Sequence, residues 1–182
     1  MRIISGKCRG TKLEAPGGMS TRPTTDRIKE TLFNIIAFDL PGCKFLDLFG
    51  GSGAIGIEAL SRGAEKVVFI DNGQEATKCI NKNLQKTGLQ NLGIVYNIDV
   101  YSGIKKLGSQ NAKFDIIFLD PPYNLVGLNE IFKEIVENDL LADKGYIILE
   151  NASEAIKIEN EKLKLAREKV YKTTTLSFFE RI

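Results

Sequence analysis

The chain contains no histidine. That absence removes the Ser-His triad, the commonest general base and the commonest metal ligand. Cysteine is scarce. Cys8, Cys43 and Cys79 are odd in number, far apart and form no CxxC pair, which argues against a zinc cluster or a disulfide framework and fits a reduced, cytoplasmic protein. No apolar run approaches the roughly 20 residues that span a bilayer. The opening Met1-Arg2-Ile3-Ile4-Ser5-Gly6 lacks the apolar core of a signal peptide. There is no internal repeat and no low-complexity tract. Chemistry in such a chain runs on carboxylates, hydroxyls, amides and positioning, with no metal and no membrane.

What is present suits one globular domain. The chain has 182 residues, 43% of them apolar, enough for a sizeable core. The net charge of +2 is unevenly spread. Residues 1–30 hold seven basic side chains (Arg2, Lys7, Arg9, Lys12, Arg22, Arg27, Lys29) against Glu14, Asp26 and Glu30; the remainder holds 18 basic and 20 acidic residues. A basic segment on a near-neutral body points to a polyanionic partner, with ordinary solvated charge as the plain alternative.

Residues 1–23 form a basic extension with little apolar pattern. Met1–Ser5 and Thr11–Ala15 are candidates for a small hairpin, and removing Met1–Ser20 is expected to leave a folded protein. From Thr24 to Ile182 the pattern is that of an α/β domain. Ile28, Leu32, Ile35 and Ile36 share a helix face that Pro41-Gly42 ends. Strands are then expected at Phe45–Leu48, Lys66–Ile70, Ile94–Ile98, Phe114–Leu119 and Gly145–Glu150. Helices are expected at Ala54–Ser61, Gln74–Thr87, Val100–Leu107 and Leu128–Glu137. This alternation implies βαβ units and a mostly parallel sheet. Leu163–Tyr171 and Thr174–Arg181 are too close for a helix between them and must pair as an antiparallel hairpin. The expected sheet has about seven strands.

Two loops carry chemistry. Asp120-Pro121-Pro122-Tyr123 follows the apolar strand 114–119, at the carboxyl end where open α/β sheets bind ligands. The prolines fix φ and lack N–H groups. They hold Asp120 and Tyr123 so that a flat base stacks on the ring while its exocyclic amine donates to Asp120 and the Pro121 carbonyl. A bare proline turn is the alternative. The second loop is Asp47-Leu48-Phe49-Gly50-Gly51-Ser52-Gly53-Ala54-Ile55-Gly56. Gly51, Gly53 and Gly56 satisfy GxGxxG, and Asp71 follows Gly51 by twenty residues, the outline of a dinucleotide fingerprint. Asp47 at the strand end would repel a pyrophosphate. It suits S-adenosyl-L-methionine, which has no phosphate but carries a sulfonium and an α-amino group. Asp71 would bind the ribose hydroxyls. Asp99 would accept from the adenine amine, or is simply an exposed loop acid.

Met1–Lys7, Arg22–Asn34, Leu46–Ala64 and Asp120–Tyr123 together resemble, in that order, the bacterial 16S rRNA (guanine-N2)-methyltransferases of the small-subunit methyltransferase D type. The resemblance covers nearly the whole chain. It departs in Gly51, where Ala is usual, in Asp71, where Glu is frequent, and in the turn after Tyr171. It implies a Rossmann-like class I methyltransferase fold and S-adenosyl-L-methionine as cofactor. The implied substrate is 16S rRNA or a partly assembled small ribosomal subunit. It implies cofactor contacts at Asp47, Phe49, Gly50, Gly51, Gly53, Asp71 and Asp99, and a catalytic set of Asp120, Pro121, Pro122 and Tyr123. Arg2, Lys7, Arg9, Arg22 and Arg27 are candidates for phosphate contacts. The competing readings are an amino-methyltransferase acting on DNA adenine N6 or cytosine N4, an NAD-dependent oxidoreductase, and a catalytically silent RNA-binding protein with this fold.

Overall fold

The structure, a computed structural model, describes residues 1–17, 26–122, 125–152 and 157–182. These fall into two compact units, Met1–Ile98 and Asp99–Ile182. The boundary expected between residues 23 and 24, and the site residues Arg22 and Tyr123, lie outside the described residues.

The first unit holds α1 (Asp26–Ile35), β1 (Lys44–Asp47), α2 (Ala54–Ser61), β2 (Lys66–Asp71), α3 (Gln74–Thr87) and β3 (Gly93–Asn97). β1 and β3 both run parallel to β2, with Asp47 opposite Phe69 and Asp71 opposite Asn97. Val67, Val68, Phe69 and Ile70 are all buried, as expected for a strand covered on both faces. α3 ends as its sequence requires. Gly88 takes the left-handed conformation and the Leu89 N–H donates to the Leu84 carbonyl at 3.0 Å, a Schellman stop.

The second unit holds α4 (Val100–Ser109), β4 (Phe114–Leu119), α5 (Leu128–Glu137), β5 (Leu141–Asn151), β6 (Leu163–Val170) and β7 (Thr175–Arg181). β4 and β5 are parallel, and β7 lies antiparallel between β5 and β6. The strand order is β3-β2-β1 within the first unit and β4-β5-β7-β6 within the second. β5 starts four residues before the expected Gly145. Its early residues Ala142, Asp143 and Lys144 are polar or small and lie outside the core, so no apolar run announces them. α5 buries Ile131, Phe132 and Ile135, with the Phe132 ring edge-on to Phe179 of β7 at 5.0 Å. Beside this packing, Lys113 and Arg181 both pair with Asp139, and their hydrogen bonds hold its carboxyl down at about 2. β6 is exposed from Lys164 to Val170.

The N-terminal segment corrects an expectation. Met1–Ser5 and Thr11–Ala15 do face each other, but through one antiparallel bridge, Arg2 to Lys12, rather than two strands. The segment is anchored within the first unit by packing and hydrogen bonds. Ile3 is fully buried and Leu13 is 7% exposed. The Ile4 and Ser5 N–H groups donate to the two carboxylate oxygens of Glu58 at 2.8 and 2.9 Å. Glu58 is itself buried and paired with buried Lys29 at 3.3 Å and with Arg62 at 2.8 Å. The Lys29 ammonium also donates to the Arg2 carbonyl. Burial lowers the Lys29 pKa, and the Glu58 charge opposes that shift. Two inward apolar side chains among polar neighbours make no periodic pattern, so the sequence hides this anchoring.

Candidate active site

In the first unit the glycine loop joins β1 to α2. Gly53 stands at the helix N-cap with φ 76°, a left-handed conformation costly for any residue with a Cβ, and no side chain caps the helix there. Such an N-terminus leaves backbone N–H groups facing a ligand. A Cβ on Gly51 would meet only the Phe49 carbonyl, at 3.9 Å, so the loop is open on that side. Gly56 is different. A Cβ there would collide with the Phe69 ring of β2, so its glycine serves close helix–strand packing.

The acids of this unit are already engaged. Asp47 is 2% exposed, and its Oδ2 accepts the Gly56 N–H at 3.3 Å. Its charge therefore sits behind the loop, at the α2 N-terminus, where the helix dipole favours an anion. Asp71 closes β2. Its Oδ2 accepts the Gly51 N–H at 2.8 Å and its Oδ1 the Gly73 N–H at 2.8 Å. It is half-buried, and each carboxylate oxygen keeps a further lone pair for a ligand hydroxyl. Phe49 is half-buried two residues beyond β1, and Gly50 donates to the Ile70 carbonyl at 3.0 Å. This donor set fits S-adenosyl-L-methionine: open backbone, a carboxylate within reach, and a buried anion that disfavours a pyrophosphate.

In the second unit, Asp99 caps α4. Its Oδ1 accepts the Ser102 N–H at 3.0 Å, and hydrogen bonds from the Ser102 side chain and then its backbone lower its pKa. The strand expected over Ile94–Ile98 spans Gly93–Asn97, and Asp99 beyond it is an N-cap residue. Asp120 directly follows β4. Its side chain is open to solvent, yet dense protein around it removes much of its hydration and raises its pKa to about 6. Surface area and surroundings differ here, and the area decides access: a ligand can touch this carboxylate. Pro121 is half-buried and Pro122 exposed. The Pro122 carbonyl accepts the Leu125 N–H at 2.9 Å.

Arg2, Lys7, Arg9 and Arg27 are all exposed, and Arg2 lies 3.5 Å from Asp26. Among the described residues no group of acids and cysteines forms a metal site, and no helix is long and apolar enough to cross a membrane. Sequence reasoning missed Glu58 and Asn83. Asn83 lies seven residues after Ala76, on the same buried face as Ile80 and Leu84. A polar residue at an apolar position was the available signal.

Residues 1–180 match the family described as Conserved hypothetical protein 95. The YlbH protein of Bacillus subtilis (strain 168) is 37% identical over 182 residues, covering 100% of this chain and 99% of its own. Ribosomal RNA small subunit methyltransferase D of Escherichia coli (strain K12) is 36% identical over 154 residues, covering 85% of this chain and 76% of its own. Among solved structures, the yhhF protein from Escherichia coli matches with a TM-score of 0.86 at 36% identity, over 100% of this chain and 97% of that one.

Proposed function

From the premise that the chain belongs to the Conserved hypothetical protein 95 family, and to one family with Ribosomal RNA small subunit methyltransferase D, we propose that it is an S-adenosyl-L-methionine-dependent methyltransferase acting on the exocyclic N2 of a guanine in 16S rRNA. The observation that carries this reading is Asp120: a solvent-open carboxylate with a pKa raised to about 6, set between strand β4 and two prolines.

S-adenosyl-L-methionine supplies an electrophilic methyl group on sulfur. Asp71 and the open glycine loop would hold its ribose and amino-acid parts, with Phe49, Gly50, Gly51 and Gly53 as further cofactor-binding residues. Asp47 would favour its positive charge, and Asp99 would accept from the adenine amine. Guanine N2 is a weak nucleophile because its lone pair is delocalised into the ring. Asp120 and the Pro121 carbonyl accept the N2–H bonds, aim the nitrogen and stabilise the positive charge that develops on it. This is catalysis by positioning and electrostatic preorganisation. Once the amine carries the methyl group, Asp120 would take the surplus proton. Its raised pKa makes it a stronger base than an ordinary carboxylate while leaving it mostly ionised at neutral pH. Tyr123 stacks on a base drawn out of its helix. Arg2, Lys7, Arg9, Arg22 and Arg27 contact phosphates, which supplies affinity without choosing sequence.

The test is tritiated-methyl transfer to hypomodified 16S rRNA, naked and protein-bound, followed by nucleoside analysis. Label in N2-methylguanosine is expected. Label in adenine or cytosine, or in DNA only, would refute the substrate assignment. Calorimetric binding of NAD without binding of S-adenosylhomocysteine would refute the cofactor.

A further inference from the structure

Asn83 has no part in the reading above, yet it occupies a junction. Its side chain is fully buried on α3. Oδ1 accepts the Glu14 N–H at 2.8 Å. Nδ2 donates to the Glu14 carbonyl at 3.0 Å and to the Ser52 carbonyl at 2.9 Å. Glu14 belongs to the returning arm of the N-terminal hairpin. Ser52 lies in the glycine loop, between Gly51 and Gly53. One side-chain amide therefore grips both peptide groups of Glu14 and one of the loop that receives the cofactor.

The rest of the hairpin is fastened to the same machinery. Glu58 and Ser61 belong to α2, the helix that begins where the loop ends. Besides the Glu58 bonds to Ile4 and Ser5, the Lys7 N–H donates to the Ser61 carbonyl at 2.8 Å and the Cys8 N–H to Ser61 Oγ at 3.0 Å. Ser61 Oγ in turn donates to the Ser5 carbonyl at 2.7 Å. The Cys79 thiol, one turn before Asn83, donates to the Glu14 carbonyl at 3.3 Å. A hairpin with a single ladder bridge is marginal alone, so these anchors set its shape. Arg2, Lys7, Arg9 and Lys12 remain exposed on it.

We propose that Asn83 is a positioning residue that couples the two ligands, so that RNA on the basic hairpin and cofactor on the glycine loop bind cooperatively. The proposal rests on the RNA and cofactor reading given above. A polyanion that orders the hairpin orders Glu14. Asn83 passes that constraint to the Ser52 carbonyl, and hence to the Gly51 and Gly53 peptides. Whichever ligand binds first then bears the ordering cost of both segments, and the second binds more tightly. Linkage makes the effect reciprocal.

The experiment measures S-adenosylhomocysteine affinity with and without saturating hypomodified 16S rRNA, and rRNA affinity with and without S-adenosylhomocysteine. In the wild-type protein each should tighten the other by the same factor, about fivefold or more. In Asn83→Asp, which keeps the acceptor for the Glu14 N–H but loses the donor to the Ser52 and Glu14 carbonyls, the factor should fall towards one while each ligand alone still binds. Asn83→Ala should do the same. A factor of one in the wild type with both ligands bound, or an undiminished factor in a folded variant, overturns the coupling. Should either variant fail to fold, hydrogen exchange on the wild type decides. S-adenosylhomocysteine alone should slow exchange of the Ile4, Ser5 and Glu14 amides, and unchanged exchange there overturns the proposal. Failure of the wild-type protein to bind S-adenosylhomocysteine or rRNA at all counts instead against the underlying functional reading.

Discussion

The acids of the glycine loop in the first unit and the acid that follows β4 in the second are fixed in opposite ways. In the first, Asp47 and Asp71 are tied to the backbone of the loop they serve, through Gly56, Gly51 and Gly73. In the second, Asp120 is open to solvent with a raised pKa, and two prolines supply the rigidity that hydrogen bonds supply in the first. An acid that only has to hold a ligand can be shared with the backbone. On the proposed role, an acid that receives hydrogen bonds from a reacting amine, and then a proton, keeps its basicity. The contrast separates holding from reacting.

Breaking the support of the first unit should have the largest effect. Deleting Met1–Ser20 removes the buried Ile3 and Leu13, worth ~1.5–3 kcal/mol each, and strips Glu58 of two donors. The truncated protein is expected to be unfolded or to melt far below the wild type by circular dichroism. A truncation with wild-type melting would show that the anchoring contributes nothing.

Breaking the reacting acid comes next. Asp120→Asn should lower kcat by roughly 10²–10³-fold or more while the dissociation constant for S-adenosylhomocysteine stays within a few fold. Wild-type kcat/KM should rise with pH and level off above about 6, and that inflection should be missing from the variant. The stability effect has a definite sign. Burial raises the folded pKa above the ordinary carboxylate value, so the protonated acid favours the fold at low pH and that contribution is lost as pH rises through about 6. Relative to Asp120→Asn, the wild type should therefore lose stability between pH 4 and 7 in parallel thermal melts. An equal pH dependence of the two proteins would sink the assignment of this group.

Asp71→Ala should raise the S-adenosylhomocysteine dissociation constant about 10- to 100-fold, since each charge-assisted bond is worth ~1.5–3 kcal/mol. It should also lower the melting temperature, because the Gly51 and Gly73 N–H groups lose their acceptor. Weakened binding at an unchanged melting temperature would mean that the two backbone bonds add no stability. The smallest effect belongs to the basic surface. Arg9→Ala should make the slope of log K for rRNA against log salt shallower by about 0.7–0.9. An identical slope would remove Arg9 from the phosphate contacts.

Much of this was legible in the chain. The apolar spacings located α1, α3 and α5, and Gly51, Gly53, Gly56 and Asp71 marked the loop and its acid. Long-range satisfaction of polar groups was not legible. Glu58 reads as one acid in a short helix, and nothing nearby says that Lys29, Ile4 and Ser5 converge on it. Asp99 reads as a ligand acid, and nothing in the chain says that it also caps α4 through Ser102. The spacing placed Asp47 at the end of β1, but only the fold shows that its carboxylate is buried and accepts the Gly56 N–H of α2.

The position of β7 sets an order of assembly. This strand follows β6 in the chain, yet it lies between β5 and β6 in the sheet, with Leu176, Phe178 and Phe179 buried. During synthesis β6 emerges with no neighbour to pair with, and β5 presents a bare apolar edge until residues 175–181 arrive. Unpaired edges of this kind recruit other chains. A nascent chain stalled before Thr175 is therefore a sticky intermediate, and loss of the last eight residues would cost the second unit two strands rather than one.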